Sequence, residues 1–323
     1  MRTDFNSVIE ILDYYKDKDA CTKLLEYRLW NGKPKCPHCG HTEKIYKTNI
    51  GYRCSNKDCQ KKFTITTGTI FHSSKIELRY WFAAIYLISA HRKGISSHQL
   101  ARDLGVTQKT AWFLNHRVRE MLKDDAPELL EGEIQVDETW VGGKTKNKHE
   151  KKIERNDNGI AISTQQPVMG AKDATGKVRA KKVNNVQAKE LKKFIIENIA
   201  KGSTMVTDQA PAYKGITKKN YKHETVNHLL GEYVNGGKFT TNGIENFWSL
   251  FKRGIIGIYH HIDVKHLDRY IDEFAYRQNN RKVADTDRLF EVLTKAEGRL
   301  KWSDLVAEDD VMPDYFQYRP EVC

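Results

Sequence analysis

Four cysteines stand in two tight pairs, Cys36-Pro-His-Cys39 and Cys54-Ser-Asn-Lys-Asp-Cys59, with fourteen residues between the pairs. Thiols paired in turns and separated by one hairpin's length supply four soft ligands that can close a tetrahedron around zinc. This stretch is therefore expected to fold as a small ribbon held by a metal rather than by an apolar core. The second pair has four intervening residues where two are commoner, so its turn must be wider. His38 and His41 lie close enough to be rival ligands, but four thiolates already complete the shell. A structural zinc with no open position is not itself catalytic. Between Asn31 and Phe63 eight Lys/Arg stand against two acids, which suits contact with phosphates. Cys21 and Cys323 stand alone, unlike a secreted disulfide framework, and Cys21 reads as a packed small side chain.

The chain has 323 residues, room for two or three domains. Its 54 Lys+Arg against 42 Asp+Glu give a formal net charge of +12, and its pI is about 9.2. That balance suits a partner rich in phosphates, although basicity alone also fits ribosomal or membrane-surface proteins. The longest apolar run, around Trp81 to Ser89, is too short and too aromatic to span a bilayer, and Met-Arg-Thr-Asp-Phe lacks a signal-peptide apolar core. An intracellular protein is expected.

Residues 1–30 read as a helical lead-in, with Phe5, Val8, Leu12, Tyr15, Leu24, Leu25, Leu29 and Trp30 at roughly helical spacing. The ribbon occupies 31–72. Residues 73–126 read as helices. Tyr80, Trp81, Ala84, Ile85, Leu87 and Ile88 mark a buried one; a second runs from Ser97 to Leu104 and stops at Gly105. Thr107 then caps a third, which buries Ala111, Leu114, Val118 and Leu122. Helix, glycine turn, helix at this length resembles a helix-turn-helix, whose second member enters the major groove. Gln108, Lys109 and Thr110 at its start, with His116, Arg117 and Arg119 behind, suit base edges and phosphates. Two merely packed helices would share the same pattern.

Pro127 and the acidic run Glu128 to Glu133 read as a linker into a domain spanning 127–285. Glu133 to Gly143 alternates as a strand, with Gln135, Asp137 and Thr139 on one face and Ile134, Val136, Glu138 and Trp140 on the other. A basic loop, Lys144 to Arg155, follows. A hairpin comes next, from Pro167–Ala171 to Lys177–Val183, turning at Asp173-Ala-Thr-Gly176. An amphipathic helix carries Ala188, Leu191, Phe194, Ile195 and Ile199. Thr204 to Asp208 is a short strand with an aspartate at its carboxyl end, and His223 to Val226 reads as another. Asn242 to Gly254 is a helix with two faces: Ile244, Phe247, Trp248 and Phe251 for burial, and Glu245, Ser249 and Lys252 on a polar stripe. A lone acid and base on such a stripe form an ordinary surface pair. Two strand-borne aspartates joined by a helix-borne glutamate give instead the layout of a ribonuclease H-like α/β fold. Residues 286–323 read as a C-terminal helix and an acidic tail.

From the cysteine knuckles to about Arg281 the chain resembles insertion-sequence transposases of the DDE superfamily, in the bacterial zinc-ribbon subgroup related to Merlin transposons. The motifs are the ribbon followed by Gly68-Thr-Ile-Phe71, Val136-Asp-Glu-Thr139 before Gly142-Gly143, Thr207-Asp208, His228 with Gly231-Glu-Tyr-Val234, and Thr241-Asn-Gly-Ile-Glu-Asn-Phe-Trp248 leading to Lys252-Arg253-Gly254. The resemblance implies three catalytic carboxylates, carried onto Asp137, Asp208 and Glu245, with thirty-six residues between the last two. Some relatives have asparagine where Glu245 stands; this chain keeps the acid, which favours an active enzyme.

Carboxylates about 4 Å apart repel by about 4 kcal/mol per pair at an effective dielectric of ~20. Such a cluster is expected to hold cations, and hard oxygen ligands select Mg2+ or Mn2+ over zinc. Two ions could then serve an in-line phosphoryl displacement. Cofactors expected are thus two Mg2+ or Mn2+ and one structural Zn2+. The resemblance implies as partners double-stranded DNA, both element ends and target, and a second copy of the chain; the cytoplasm is the expected place. DNA contacts are expected from Gln108, Lys109, Thr110, Arg117, Lys252 and Arg253, with Lys252 alternatively a surface ion-pair partner. The adjacent His260 and His261 read as strand-end DNA contacts or ligands. Two alternatives stay open: a nuclease of the same fold that does not join strands, and a DNA-binding regulator with a relic catalytic domain.

Overall fold

The computed structural model describes residues 4–143, 150, 165–208, 213, 215, 220–226 and 240–307. Most of the basic loop, the motif around His228 and Gly231, the acidic tail from residue 308 and Cys323 lie outside the described residues. The chain divides into two compact units: Met1–Lys123 together with Lys282–Cys323, and Asp124–Arg281.

The first unit opens with α1 (Val8–Tyr14) and α2 (Lys18–Trp30), capped by Ser7 and Asp17. Asn31 ends α2 in the left-handed region at φ 44°. The antiparallel ribbon follows: β1 (Ile45–Thr48), β2 (Gly51–Cys54) and β3 (Lys62–Phe63). Next is α3 (Leu78–Ala90), which buries Trp81, Phe82, Ala83, Ala84, Ile85 and Ile88. A helix apolar nearly all round must be enclosed by others, and α1, α2, α5 and α9 pack against it.

The next two helices, α4 (Ser97–Leu104) and α5 (Gln108–Leu122), form as the spacing predicts. The Ser96 hydroxyl accepts from the Gln99 N–H, Gly105 turns the chain at φ 65°, and the Thr107 hydroxyl accepts from the Thr110 N–H. The unit is completed from the far end of the chain by α9 (Asp285–Thr294) and α10 (Trp302–Val306). Sequence patterning sets residues 286–323 apart, but Leu289, Phe290, Val292 and Leu293 are buried in this unit. Arg288 donates to Ser89 O at 2.8 Å, and Ile70 N donates to Ala296 O at 2.9 Å.

The second unit is a five-stranded sheet ordered β6-β5-β4-β7-β8. Its strands are β4 (Glu133–Val141), β5 (Gln166–Asp173), β6 (Val178–Lys182), β7 (Thr204–Thr207) and β8 (Lys222–Thr225). The hairpin strands β5 and β6 run antiparallel beside β4, while β7 and β8 run parallel to it on the other side. Between β6 and β7 the chain crosses over through α6 (Ala188–Asn198). Residue alternation then assigns the two faces. Ile134, Val136, Met169, Ala171 and Met205 bury against Leu191, Phe194 and Ile195 of α6. On the opposite face Val141, Val168 and Val178 pack with α7 (Asn242–Gly254) and α8 (Leu267–Asn279) through Ile244, Phe247, Trp248, Phe251, Ile271 and Phe274. Among the described residues no helix is long and apolar enough to cross a membrane.

Candidate metal centres and nucleic-acid interface

The ribbon brings Sγ of Cys36, Cys39, Cys54 and Cys59 within 4.8 Å of one another. The Cys36–Cys59 and Cys39–Cys54 separations are 3.8 and 3.6 Å. A tetrahedron with Zn–S bonds of about 2.3 Å has edges of about 3.8 Å, so the four thiols fit zinc without rearrangement. The wider second knuckle is closed by Asn56. Its side-chain oxygen accepts from Asp58 N at 3.0 Å, and its carbonyl accepts from both Cys59 N and Gln60 N. His41 pairs with the Ser55 hydroxyl at 3.1 Å, outside the thiol set. Burial pushes the Cys36 and Cys54 thiols up, an environment in which a bound dication would favour the thiolates. Cys54→Ser should therefore lower zinc stoichiometry and weaken binding to DNA, with metal content by emission spectroscopy as the check; unchanged stoichiometry would refute the ligand set.

In the sheet unit, β4 and β7 pair in parallel with Gln135 opposite Val206. Continued in the same direction, that register leads towards Asp137 on β4 and Asp208 just past the end of β7. Asp137 belongs to the face covered by α7. Asp137 also pairs across β5 with Gly170, where the Trp248 ring lies so close that a Cβ would overlap it. The glycine is needed for helix and sheet to meet at this level.

Glu245 sits in the first turn of α7, where the Thr241 hydroxyl donates to its Oε1 at 2.7 Å. The positive end of the helix dipole favours an acid there. Two side chains of the sheet hold this turn: Gln135 Oε1 accepts from Ile244 N at 3.0 Å, and Lys172 Nζ donates to Gly243 O at 2.9 Å. Gln135 faces Lys172 across the β4–β5 ladder.

Burial first, then the negative charges of Glu138, Asp208 and Glu245, push the Asp137 carboxyl up to about 7. Asp208 and Glu245 thus both act on Asp137 through space. Such surplus negative charge in a half-buried place is what a divalent cation neutralises, and the donor set is all hard oxygen. Among the described residues only the cysteines bring three or more ligand atoms within 4.8 Å. The carboxylates are therefore not spaced as ligands of one ion; ligands divided between two ions about 3.5–4 Å apart need not be.

On the α6 face lies a group that strand alternation separates from Asp137. The buried Tyr213 hydroxyl donates to Glu138 Oε2 at 2.5 Å, and the Thr207 hydroxyl lies 2.8 Å from His223 Nε2. Burial raises Glu138 and lowers His223.

Of the expected DNA contacts, Gln108 and Lys109 are exposed and Thr110 is half-buried. Gln108 Nε2 donates to the Ser97 hydroxyl at 2.9 Å, and Lys109 Nζ lies 4.7 Å from the centre of the Trp302 ring. Lys252 and Arg253 are exposed on α7. Arg117 does not fit the expectation. It is 6% exposed, donates to Leu300 O and His72 O at 3.1 and 3.2 Å, and stacks over Phe113. A guanidinium spent on two carbonyls inside the unit holds the fold together and is not presented to a phosphate. His116 and Arg119 are buried as well. His260, at φ 59°, and His261 are both exposed.

Sequence reasoning singled out Gln135 only by its face and did not single out Lys172 at all. A polar residue two positions before Asp137 on a strand packed by a helix was the available signal for Gln135; nothing local marks Lys172.

Residues 129–279 match the family model described as ISXO2-like transposase domain, and residues 16–62 match that of a transposase zinc-ribbon domain, together more than half of the chain. An uncharacterized protein in transposable element ISH50 of Halobacterium salinarum is 28% identical over 260 residues, covering 76% of this chain and 85% of that protein. Among solved structures, a Mos1 transposase paired-end complex with left transposon end is similar at 15% identity, over 67% of this chain and 79% of that one, with a TM-score of 0.27. The Mos1 strand transfer complex is similar at 14% identity, over 67% and 78%, with a TM-score of 0.20. Scores of this size do not establish a shared fold. With ribbon and catalytic domain both matching models of transposase domains, the chain belongs to the zinc-ribbon insertion-sequence DDE transposases and is a DNA transposase.

Proposed function

We propose that Asp137, Asp208 and Glu245 are the catalytic carboxylates of a ribonuclease H-like domain, and that they hold two divalent ions, Mg2+ or Mn2+. The observation that supports this reading is the parallel β4–β7 register leading towards Asp137 and Asp208, with Glu245 in the first turn of α7 and both of those acids raising the Asp137 carboxyl. The strand order, with an antiparallel hairpin on one side of β4 and two parallel strands on the other, accords with that fold. Asp137, on the central strand β4, would hold the ions together with Asp208 and Glu245. When bound, the ions supply activation of an attacking oxygen and charge stabilisation of the departing one.

The chain's own residues do the rest. Asp137 is carried on a strand paired on both sides, so its carboxylate is held rather than searched for. Trp248 and Ile244 wall the floor of the site against water. Lys252, exposed on the polar stripe of α7, is placed to hold a phosphate flanking the scissile one. Water as nucleophile frees a 3′ hydroxyl at the element's end, and that hydroxyl then attacks target DNA, with no covalent enzyme intermediate.

The helix pair α4–α5 reads as the helix-turn-helix that meets the element's ends, with Gln108, Lys109 and Thr110 at the bases and the ribbon on phosphates. Holding two ends together calls for at least a dimer on DNA.

The test is a strand-transfer assay with end-bearing DNA, a target plasmid and Mg2+. Cleaved ends and joined products are expected. Cleavage with no joined product would favour a nuclease, and specific binding without chemistry a regulator.

A further inference from the structure

We infer that Gln135 and Lys172 are positioning residues that set where Glu245 meets Asp137 and Asp208, by gripping the first turn of α7 from the sheet. This rests on the reading of those three acids as the metal-binding set. Glu245 is the only one of them delivered by a helix rather than by the sheet, so its place depends on how the α7 N-terminus docks. Apolar packing through Ile244, Phe247, Trp248 and Phe251 holds the helix onto the sheet but, being non-directional, does not fix it along its axis.

Hydrogen bonds at the first turn can. Gln135 Oε1 takes the Ile244 N–H at 3.0 Å, a donor that also reaches Thr241 O at 3.1 Å. Lys172 Nζ grips the Gly243 carbonyl at 2.9 Å. One bond ends on an amide and the other on a carbonyl of adjacent residues, so sliding the turn either way lengthens at least one. Gly243 fits because it has no side chain: a Cβ there would overlap Gln135 Oε1 and stand 3.0 Å from Lys172 Nζ. Gln135 is also on the same strand and the same face as Asp137, two residues away. The strand that carries one acid therefore gauges the position of another, as an outer-shell partner orients a metal ligand.

The full-length, zinc-loaded protein is used, with Gln135→Leu, Lys172→Met, Lys172→Arg, Gly243→Ala and Glu245→Gln. Three readouts are taken: Mn2+ binding by calorimetry, amide exchange over residues 241–250 by mass spectrometry, and cleavage kinetics on end-bearing DNA. Gln135→Leu and Lys172→Met are expected to weaken Mn2+ binding by about tenfold, the lower end of outer-shell effects. They should also speed amide exchange in the first turn and lower kcat with KM for DNA unchanged. Lys172→Arg, which keeps a donor, should stay near the parent, and Gly243→Ala should reproduce the loss by wedging the same contact from the helix side. Parent-like Mn2+ binding and exchange in Gln135→Leu and Gly243→Ala, while Glu245→Gln loses Mn2+ affinity, would overturn the inference and leave the carboxylate reading intact. Unchanged Mn2+ binding and cleavage in Glu245→Gln would instead remove that reading, and the inference with it.

Discussion

Asp137→Asn is expected to abolish strand cleavage, by ~10³-fold or more, while leaving recognition of the element's ends intact. The amide keeps the size and one acceptor of the carboxylate but loses the charge that a hard dication requires. Recognition of the ends is assigned to the ribbon and the α4–α5 pair, and the substitution leaves Lys252 in place, so a gel-shift with end DNA should not change. Substantial turnover in this variant would sink the carboxylate reading.

The same substitution carries a stability signature. Burial and neighbouring acids hold the Asp137 carboxyl up to about 7 in the folded protein, above an ordinary value of 3.8. The folded state therefore prefers the proton more than the unfolded chain does. Stability from this group falls as pH rises from about 4, and the full cost of the charge is present above about 7. Without added Mg2+, Asp137→Asn should accordingly melt higher than the parent at pH 8, with the difference vanishing near pH 4. Thermal unfolding across that range is the measurement, and a lower melting point for the variant at pH 8 would show that the carboxylate is compensated in some other way. A catalytic group that costs stability until its ligand arrives is the usual trade at a site of this kind.

Deleting residues 282–323 is expected to unfold the N-terminal unit while leaving the sheet unit folded. The deletion removes Leu289, Phe290, Val292 and Leu293, each fully or nearly fully buried. At about 1.5–3 kcal/mol for each such side chain, the loss is comparable to the whole stability of a typical domain, about 5–15 kcal/mol. It also strips Arg117 of its Leu300 acceptor and Ile70 N–H of Ala296 O, leaving buried polar groups unpaired. Calorimetry should lose one of two transitions, and end binding should disappear with it. A milder variant separates packing from gross truncation: Leu293→Ala should cost about 2–5 kcal/mol in the N-terminal transition alone. Retention of cooperative unfolding and end binding by the truncated chain would show that α9 is dispensable to that unit. The helices assigned to DNA recognition are thus completed by residues that leave the ribosome after the whole sheet unit.

Much of this was legible in local pattern. The four cysteines name their own ligand set, because knuckle spacing is a property of a few adjacent turns. The Gly105 stop and Thr107 cap are local, and both helices formed where they direct. Alternation along β4 correctly put Gln135, Asp137 and Thr139 on one face. Arg117 was misread for a reason of long range. It lies beside the apolar stripe Leu114–Val118 of α5, where charge argues for solvent, and its carbonyl partners come from residues 72 and 300. Lys172 could not be read at all, since the carbonyl it grips is 71 residues away in sequence.

By itself, the sequence determined the cluster of four cysteines, the helix ends and the alternation of faces along β4, because caps, knuckles and periodicity act within a turn or two of chain. The tertiary structure decided the rest. Parallel pairing of β7 with β4 brought the segment ending in Asp208 alongside the strand of Asp137, two sheet side chains gripped the helix bearing Glu245, and α9 came back to fill the core around α3. Those outcomes depend on groups from 70 to nearly 200 residues apart meeting in space, and no local preference of either partner specifies such a meeting.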